Sequence, residues 1–262
     1  ITEDRFNPDV IIGDCLDPVL QVLGKIECAK NVPLYQIVHD TDFAQLDEPI
    51  FKKAIDSIDC FLLRSKKQKE LLSIQLKNVK YKYMFSGIPD DTVRKENNPR
   101  NQINKLLYVG ALYKSKGIDT IIEALAQVKN YGYELTIVGG GVEEQYFRQR
   151  VSDLEISECV RFEGQVVHEK VFEYMADADA LVLISKETFG MVYIEAMSQG
   201  CIPIAAKGEG IDGIVKNLDN GFLTQLGDVT DFARLLVEIA NMSSNSIEKI
   251  SNNAYRTASI MT

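Results

Sequence analysis

Residues 180–201, ALVLISKETFGMVYIEAMSQGC, contain a strand, a loop and a helix in succession, and the rest of the chain is interpreted from them. The apolar start at 180–184 has the length and β-branched content of one buried strand. A polar turn follows, then a helix predicted over 191–199, which Gly200 is suited to end. Another strand is predicted at 202–205. The stretch therefore predicts one repeating unit of an open α/β sheet.

Two carboxylates lie eight positions apart in this stretch. Glu187 lies in the loop at the carboxyl end of the strand, and Glu195 lies just over one turn into the helix. Ligands of open α/β sheets bind in the crevice beyond the carboxyl ends of the strands. The first amides of a helix favour an anion such as phosphate. Two acids beside such a helix start predict a site for a sugar nucleotide.

The composition of the 262 residues is that of an ordinary globular protein, with 45% hydrophobic and 26% charged residues. The formal net charge of −9 argues against nonspecific nucleic-acid binding, so no nucleic-acid partner is expected. The strongest basic run, RSKKQK at 64–69, is typical of a solvated helix face. No apolar run approaches the ~18–20 residues that span a bilayer, and residues 1–10 lack the pattern of a signal peptide.

The cysteines and histidines form no metal-ligand pattern of the CxxC or HExxH kind, so no metal ion is expected. The triple glycine at 139–141 is not a GxGxxG dinucleotide fingerprint, and no cofactor is expected. The five cysteines are scattered and odd in number, and several fall in apolar runs. They are interpreted as reduced core residues of a cytoplasmic protein. These residues are Cys15, Cys28, Cys60, Cys159 and Cys201.

Strands and helices alternate along the chain, which predicts α/β architecture with parallel sheets. Strands are predicted at 9–12, 32–38, 60–63, 81–85, 105–109, 134–138, 160–163, 180–184, 202–205 and 222–224. Helices are predicted at 18–30, 49–55, 66–75, 118–129, 142–154, 169–176, 191–199, 213–216, 229–241 and 246–259. Because residues 90–104 are polar and aperiodic, we expect a first domain at 1–92, a linker at 93–104 and a second domain at 105–262. The first domain has fewer strands and is expected to be incomplete.

The segment from Glu187 to Glu195, ETFGMVYIE, resembles the E-x7-E motif of retaining glycosyltransferases of family 4. These enzymes have the GT-B fold, with two Rossmann-like domains that contain parallel sheets and a cleft between them. Further segments lie where that family has its landmarks: YVG at 108–110, SKGID at 115–119, LTIVGGG at 135–141, VRFEG at 160–164, GCIP at 200–203 and NG at 220–221. The resemblance covers about residues 104–260, and the first domain more weakly.

The resemblance implies roles for the residues of the opening stretch. Glu195 would hydrogen-bond both ribose hydroxyls of the nucleotide, which a carboxylate can do because it accepts from two donors at once. Glu187 would contact the donor sugar near the reacting centre. The backbone amides of Phe189, Gly190 and Met191 would hold sugar hydroxyls and phosphate.

The resemblance also implies a cationic grip on the donor diphosphate. Lys116 matches the family lysine that offsets the charge developing on the leaving group. Gly110 matches a donor-binding glycine that an arginine usually follows, but this chain has Ala111 there. One expected cation is therefore missing from its place. Lys114, in the same loop, is our hypothesis for a replacement.

Two further assignments lie outside these loops. His39 follows a strand of the first domain and is similar to the family histidine that reaches the donor sugar. Val166 lies within residues 161–167, whose backbone groups would contact the nucleotide base. The first domain would then bind the acceptor, and the second the donor.

The resemblance therefore implies a retaining, metal-independent hexosyltransferase. It would move a sugar from a nucleotide-diphosphate sugar donor, by default a UDP-sugar, to a hydroxyl group of a glycan, lipid-linked or protein acceptor, as in polysaccharide biosynthesis. Two alternatives stay open: a GT-B epimerase or phosphorylase, and a non-catalytic partner subunit, which Ala111 and the short first domain favour. The expected location is cytoplasmic, with peripheral membrane association at the inner face of a membrane left open.

Overall fold

The computed structural model describes residues 8–14, 31–44, 46 and 55–262. The chain divides into two compact units, Ile1–Phe85 and Ser86–Thr262. Within the described residues, each unit contains one parallel β-sheet together with α-helical structure, so the predicted α/β class is confirmed. The helices predicted at 18–30 and, for the most part, at 49–55 lie outside the described residues, as do Cys15 and Cys28.

The first unit contains a four-stranded parallel sheet in the order β1-β2-β3-β4. Its strands are β1 (Ile11–Asp14), β2 (Leu34–Ile37), β3 (Cys60–Leu63) and β4 (Tyr81–Tyr83). Helix α1 (Lys66–Gln75) follows β3, and Ser65 caps its start by accepting a hydrogen bond from the backbone N–H of Gln68. Strand β3 is buried at all four residues, as expected for an apolar strand inside a parallel sheet.

The second unit contains a six-stranded parallel sheet in the order β10-β9-β8-β5-β6-β7. Its strands are β5 (Lys105–Val109), β6 (Glu134–Val138), β7 (Val160–Gly164), β8 (Ala180–Leu183), β9 (Ile202–Ala206) and β10 (Phe222–Thr224). Its helices are α2 (Ile118–Gln127), α3 (Glu144–Asp153), α4 (His168–Asp177), α5 (Met191–Ser198), α6 (Val229–Ala240) and α7 (Ser244–Ser259). None of the helices in the described ranges has the length and apolar character that a membrane span requires.

The strand order fixes where a ligand can bind in the second unit. The chain proceeds outward from β5 to β6 and β7, returns to β8 on the other side of β5, and proceeds outward again to β9 and β10. Strands β5 and β8 are therefore neighbours whose following connections run in opposite directions. Such a reversal opens a crevice at the carboxyl edge of the sheet.

Helix α5 is packed into the centre of the second unit. Strands β8 and β9 beside it are buried along their whole length. On α5 the buried residues are Tyr193, Ile194, Ala196, Met197 and Ser198, and the helix packs against α4, α7 and β9. A helix buried on most sides holds its remaining side chains in fixed positions. Among the described cysteines, Cys60 and Cys201 are buried, Cys159 is half-buried, and all three are free thiols.

The domain boundary differs from the sequence expectation of a linker at 93–104. The second unit begins at Ser86, so these residues belong to it. Arg100 explains the difference, because its buried guanidinium donates hydrogen bonds to the carbonyls of Ala178 and Asn98, both at 2.9 Å, and of Ala176. Its backbone N–H also donates to Ser251 Oγ at 2.9 Å. The polar segment is therefore attached to the carboxyl end of α4 and to the middle of α7.

The helix predicted at 213–216 is absent from the described second unit, which has turns there instead. The side chain of Asn220 accounts for this result. Its amide donates to the carbonyl of Ile214 at 2.9 Å, and its carbonyl accepts from the backbone N–H of Lys216 at 2.7 Å. Asparagine side chains stabilise turns by bonding nearby backbone groups in this way.

Candidate active site

Lys116 and Glu187 meet at the crevice between β5 and β8. Lys116 follows β5 and Glu187 follows β8, and Nζ of Lys116 lies 2.7 Å from Oε1 of Glu187. Ser185 donates a hydrogen bond from Oγ to the same carboxylate oxygen at 2.8 Å. The lysine side chain is 34% exposed and the glutamate side chain 18%. The structure thus brings two of the predicted site residues into one partly desolvated ion pair that a ligand can still reach.

Gly117 fixes the position of Lys116. Its φ of 72° lies in the left-handed region, and a Cβ at this residue would lie 2.0 Å from the carbonyl oxygen of Ile184. The backbone after Lys116 therefore contacts the end of β8 directly, which glycine alone permits. Because Glu187 follows β8 closely, this contact brings the lysine beside it.

The loops after β5 and β6 also pack backbone against backbone. A Cβ on Gly139 would lie 1.9 Å from the carbonyl oxygen of Gly110, and one on Gly141 would lie 2.4 Å from that of Leu112. The backbone N–H of Leu112 donates to the carbonyl of Gly140 at 3.0 Å. The predicted donor-binding residue Gly110 therefore lies in a backbone surface almost without side chains, where a ligand can approach closely.

The start of α5 lies in the loop that carries Glu187. Gly190 precedes the helix with φ 85° and ψ 64°, and a Cβ there would lie 2.6 Å from the ring of Tyr193. Among the described residues, no side chain caps this helix start. Phe189 is buried, whereas Gly190 and Met191 are half-buried. The first-turn amides of α5, with the positive end of the helix dipole, suit an anionic group.

Glu195 lies in the second turn of α5 with a side chain that is only 17% exposed. In the part of the chain that the structure describes, no donor makes a hydrogen bond to its carboxylate. Burial raises the pKa of Glu195, and the nearby His168 lowers it. Nε2 of His168 lies 3.8 Å from Oε1 of Glu195. No local sequence pattern predicts this neighbour, because the packing of α4 against α5 brings it there.

Two buried tyrosines, which sequence reasoning also missed, lie close to Glu187. Tyr108 donates from its hydroxyl to the carbonyl of Ala111 at 2.9 Å, and Tyr193 donates to that of Leu183 at 2.5 Å. Burial, and secondly the charge of Glu187, raise the pKa of both phenols. Both rings therefore stay neutral at ordinary pH and form uncharged walls near the ion pair.

Lys114 has a different partner from Lys116. Its Nζ lies 4.0 Å from the ring centroid of Tyr146 on α3, a cation–π contact. Its backbone N–H donates to Oε2 of Glu143 at 2.5 Å. The ammonium of Lys114, which was expected to face the diphosphate, thus contacts the ring of Tyr146.

Val166, predicted near the base, is half-buried between β7 and α4 and packs against the core of the second unit.

His39 lies at the carboxyl edge of the first sheet. Its Nε2 is 2.7 Å from Oδ1 of Asp14, the last residue of β1, and its backbone N–H donates to Oδ2 of Asp42 at 2.7 Å. The parallel pairing of β1 with β2 places Asp14 opposite Ile37 and so beside the histidine. Asp14 is a partner that sequence reasoning did not identify.

The fold and the site together define the class of protein. Strand order β7-β6-β5-β8-β9-β10 corresponds to the order 3-2-1-4-5-6 of nucleotide-binding doubly wound domains. Residues 89–257 match the family described as glycosyl transferases group 1. The chain belongs to this family, and the predicted resemblance to family 4 GT-B enzymes is confirmed.

Curated relatives are glycosyltransferases of several kinds. The N-acetyl-alpha-D-glucosaminyl L-malate synthase of Bacillus anthracis is 32% identical over 136 residues, which are 51% of this chain and 35% of that protein. The lipopolysaccharide core biosynthesis glycosyltransferase LpsE of Rhizobium meliloti is 29% identical over 143 residues, which are 54% of this chain and 40% of that protein. The matched part of the chain therefore spans little more than a third of these relatives.

Solved structures confirm the GT-B fold class. Sucrose-phosphate synthase from Thermosynechococcus elongatus has a TM-score of 0.76 at 21% identity, over 98% of this chain and 70% of that one. Anabaena HepE, in complex with UDP and glucose, has a TM-score of 0.71 at 20% identity, over 95% of this chain and 73% of that one.

Proposed function

We propose that this glycosyltransferase binds a nucleotide-diphosphate sugar at the carboxyl edge of the second sheet. It would transfer the sugar, with retention, to a hydroxyl group of a glycan, lipid-linked or protein acceptor. The observation that carries the proposal is the Lys116–Glu187 pair beside the uncapped start of α5. A UDP-sugar is the default donor, since the similar HepE is a complex with UDP and glucose.

The nucleotide would be held by a carboxylate at its ribose, and by an ammonium group and backbone amides at its diphosphate. Glu195 is partly buried and, within the described ranges, has no hydrogen-bond donor, so ribose hydroxyls would satisfy it. The first amides of α5, at Gly190 and Met191, and the ammonium of Lys116 would hold the diphosphate. Lys114 would join them only by leaving the ring of Tyr146.

Transfer would break the bond between the anomeric carbon and the diphosphate oxygen. Negative charge then develops on the diphosphate, where Lys116 and the helix start stabilise it. The acceptor hydroxyl would attack on the face that the diphosphate leaves, and its proton would pass to a phosphate oxygen. These groups can provide the charge stabilisation that a divalent metal provides elsewhere. His39, whose ring is held by Asp14, is the residue of the first unit that we propose takes part in the transfer.

A thermal-shift panel of UDP, GDP, ADP and their sugars tests the binding step. A nucleotide that binds only the folded chain raises its Tm, by an amount that increases with ligand concentration. We expect one nucleotide series to do so. If none does at millimolar concentration, the non-catalytic partner subunit becomes the better interpretation. Assays of donor hydrolysis or exchange without acceptor separate transfer from epimerase or phosphorylase activity.

Substitution of the two acids tests the division of roles. Glu187→Gln should lower kcat by about 100-fold or more, because the glutamate contacts the reacting end of the donor. Glu195→Gln should mainly raise the donor KM, because it binds the ribose in ground state and transition state alike. Glu158→Gln, an exposed change in the loop before β7, is the control. If both site variants kept full turnover, the roles proposed for Glu187 and Glu195 would be wrong.

A further inference from the structure

His168 is the first residue of α4, and its ring lies beside the Glu195 carboxylate. The ring packs edge-to-face against Phe172, with centroids 5.2 Å apart and an interplanar angle of 82°. The histidine side chain is 65% exposed, whereas the glutamate side chain is 17% exposed. A solvent-accessible ring is thus held next to a carboxylate that is mostly buried.

The separation of 3.8 Å between Nε2 and Oε1 has a specific consequence. It is longer than a hydrogen bond but short enough for a Coulomb interaction, which solvent around the exposed histidine partly screens. The histidine can therefore act on the charge of Glu195 without occupying its lone pairs. Both carboxylate oxygens remain available to ligand hydroxyls.

The ionised form of Glu195 is the form that two vicinal hydroxyls require. A carboxylate accepts hydrogen bonds at both oxygens, whereas a protonated carboxyl carries a donor on one of them. Burial raises the pKa of Glu195 and thus favours the protonated form, while a charged His168 opposes this effect.

His168 is the one charged neighbour, among the described residues, that shifts the pKa of Glu195. Helices α4 and α7 and strand β9 pack against α5, and the segment before β5 contacts its carboxyl end. Strand β9 has no titratable side chain. The other charged residues on these elements, none of which shifts this pKa, are Asp90, Asp91, Arg94, Lys95, Glu96 and Arg100 before β5, Glu169, Lys170, Glu173 and Asp177 on α4, and Glu248, Lys249 and Arg256 on α7.

We propose that His168 is a positioning residue of the donor site, whose imidazolium keeps the Glu195 carboxylate ionised and able to accept both ribose hydroxyls. The inference rests on the proposed function, because the nucleotide supplies the ribose. His168 acts through Glu195 and takes no part in the chemical step. It extends the pH range over which the site binds its donor.

Calorimetric titration of the full chain with UDP across pH tests this role, with ADP and GDP in parallel. At the alkaline end of the titration, where a histidine side chain carries no charge, His168→Asn and the wild type should bind within about twofold of each other. At the acidic end, the variant should lose severalfold more affinity than the wild type, since the pKa of Glu195 rises when the opposing charge is removed. Lys170→Gln removes a positive charge from the same helix and should follow the wild type.

A carbon-13 NMR titration of the Glu195 carboxyl in the nucleotide-free chain provides a second readout. Its midpoint should move to higher pH in His168→Asn and stay in place in Lys170→Gln. An unchanged midpoint, or a loss of affinity equal at all pH values, would overturn the proposal. If no nucleotide binds the wild type, the proposed function fails, while the NMR midpoint still tests the coupling of His168 to Glu195.

Discussion

Lys114 and Lys116 lie in one short 3₁₀ helix after β5, but their ammonium groups have different partners. Lys116 pairs with Glu187 at 2.7 Å, whereas Lys114 lies 4.0 Å from the ring centroid of Tyr146. A diphosphate would replace Glu187 as the partner of Lys116, or bind the lysine together with Glu187, without moving the lysine far. Lys114 would first lose a cation–π contact, which is worth about 0.5–1 kcal/mol at an exposed position.

The two lysines should therefore contribute unequally to nucleotide affinity. We expect Lys116→Ala to weaken binding of the nucleoside diphosphate by about 10- to 100-fold, since a hydrogen bond to a charged group contributes about 1.5–3 kcal/mol. Lys114→Ala should weaken it severalfold at most. Lys186→Ala, at an exposed lysine next to Glu187, is the matched control for loss of charge. The prediction would be wrong if calorimetry showed that Lys114→Ala weakens nucleotide binding more than Lys116→Ala does.

The sequence predicts candidate site residues within its recognised motif but not their tertiary neighbours. Glu187 and Glu195 are predicted from a strand end and a helix start, which have local signals, whereas Lys116 is assigned through the family resemblance. Asp14 and His168 were missed, because each meets its partner only through strand register or helix packing. His168 is also an exposed residue at a helix start, and the sequence alone does not distinguish such a histidine from an ordinary solvent-exposed side chain.

Gly117 and Gly132 allow the effect of a close backbone contact to be separated from the effect of a left-handed φ. Their φ angles are 72° and 74°, but a Cβ on Gly117 would lie 2.0 Å from a carbonyl oxygen, whereas one on Gly132 meets nothing within 4 Å. Gly132→Ala should cost about 1–2 kcal/mol, the usual penalty for a left-handed alanine. Gly117→Ala should cost clearly more and should also weaken nucleotide binding, because it displaces Lys116. Urea unfolding and calorimetry on both variants measure the difference.

Secondary structure was predictable where the local pattern and the tertiary contacts agree. Strands β3, β5, β6 and β10 and helix α1 begin and end at the predicted residues. Strand β1 is displaced from the predicted 9–12 to Ile11–Asp14, because its register is set by pairing with β2. The error at 213–216 has a similar origin, since Asn220 contacts these residues from outside the local window.

At the scale of the whole molecule, the position of the domain boundary depends on tertiary contacts of the polar segment, above all those of the buried Arg100. Residues 90–104 are polar and aperiodic, which is typical of a linker. Composition does not reveal that Arg100 binds the carbonyls at the end of α4. Nor does it reveal that the backbone N–H of Ile88 donates to the carbonyl of Met261 at 2.9 Å, which joins the start of the second unit to its end.

These contacts predict that residues 86–262 fold as a unit and that residues 105–262 are much less stable. The shorter fragment lacks the bonds of Arg100 and also the Asn97–Asn252 contact, at 2.7 Å. We expect it to lose at least about 3 kcal/mol of unfolding free energy, since hydrogen bonds to a charged group contribute about 1.5–3 kcal/mol each.

In the full chain, Arg100→Leu should destabilise the second unit by a similar amount. Arg161→Leu should cost less than about 1 kcal/mol, because Arg161 forms an exposed pair with Glu134. If the two fragments had equal urea midpoints, residues 93–104 would be a linker as predicted from the sequence. If the fragment 86–262 is stable and binds the same nucleotide as the full chain, the whole donor site lies in the second unit.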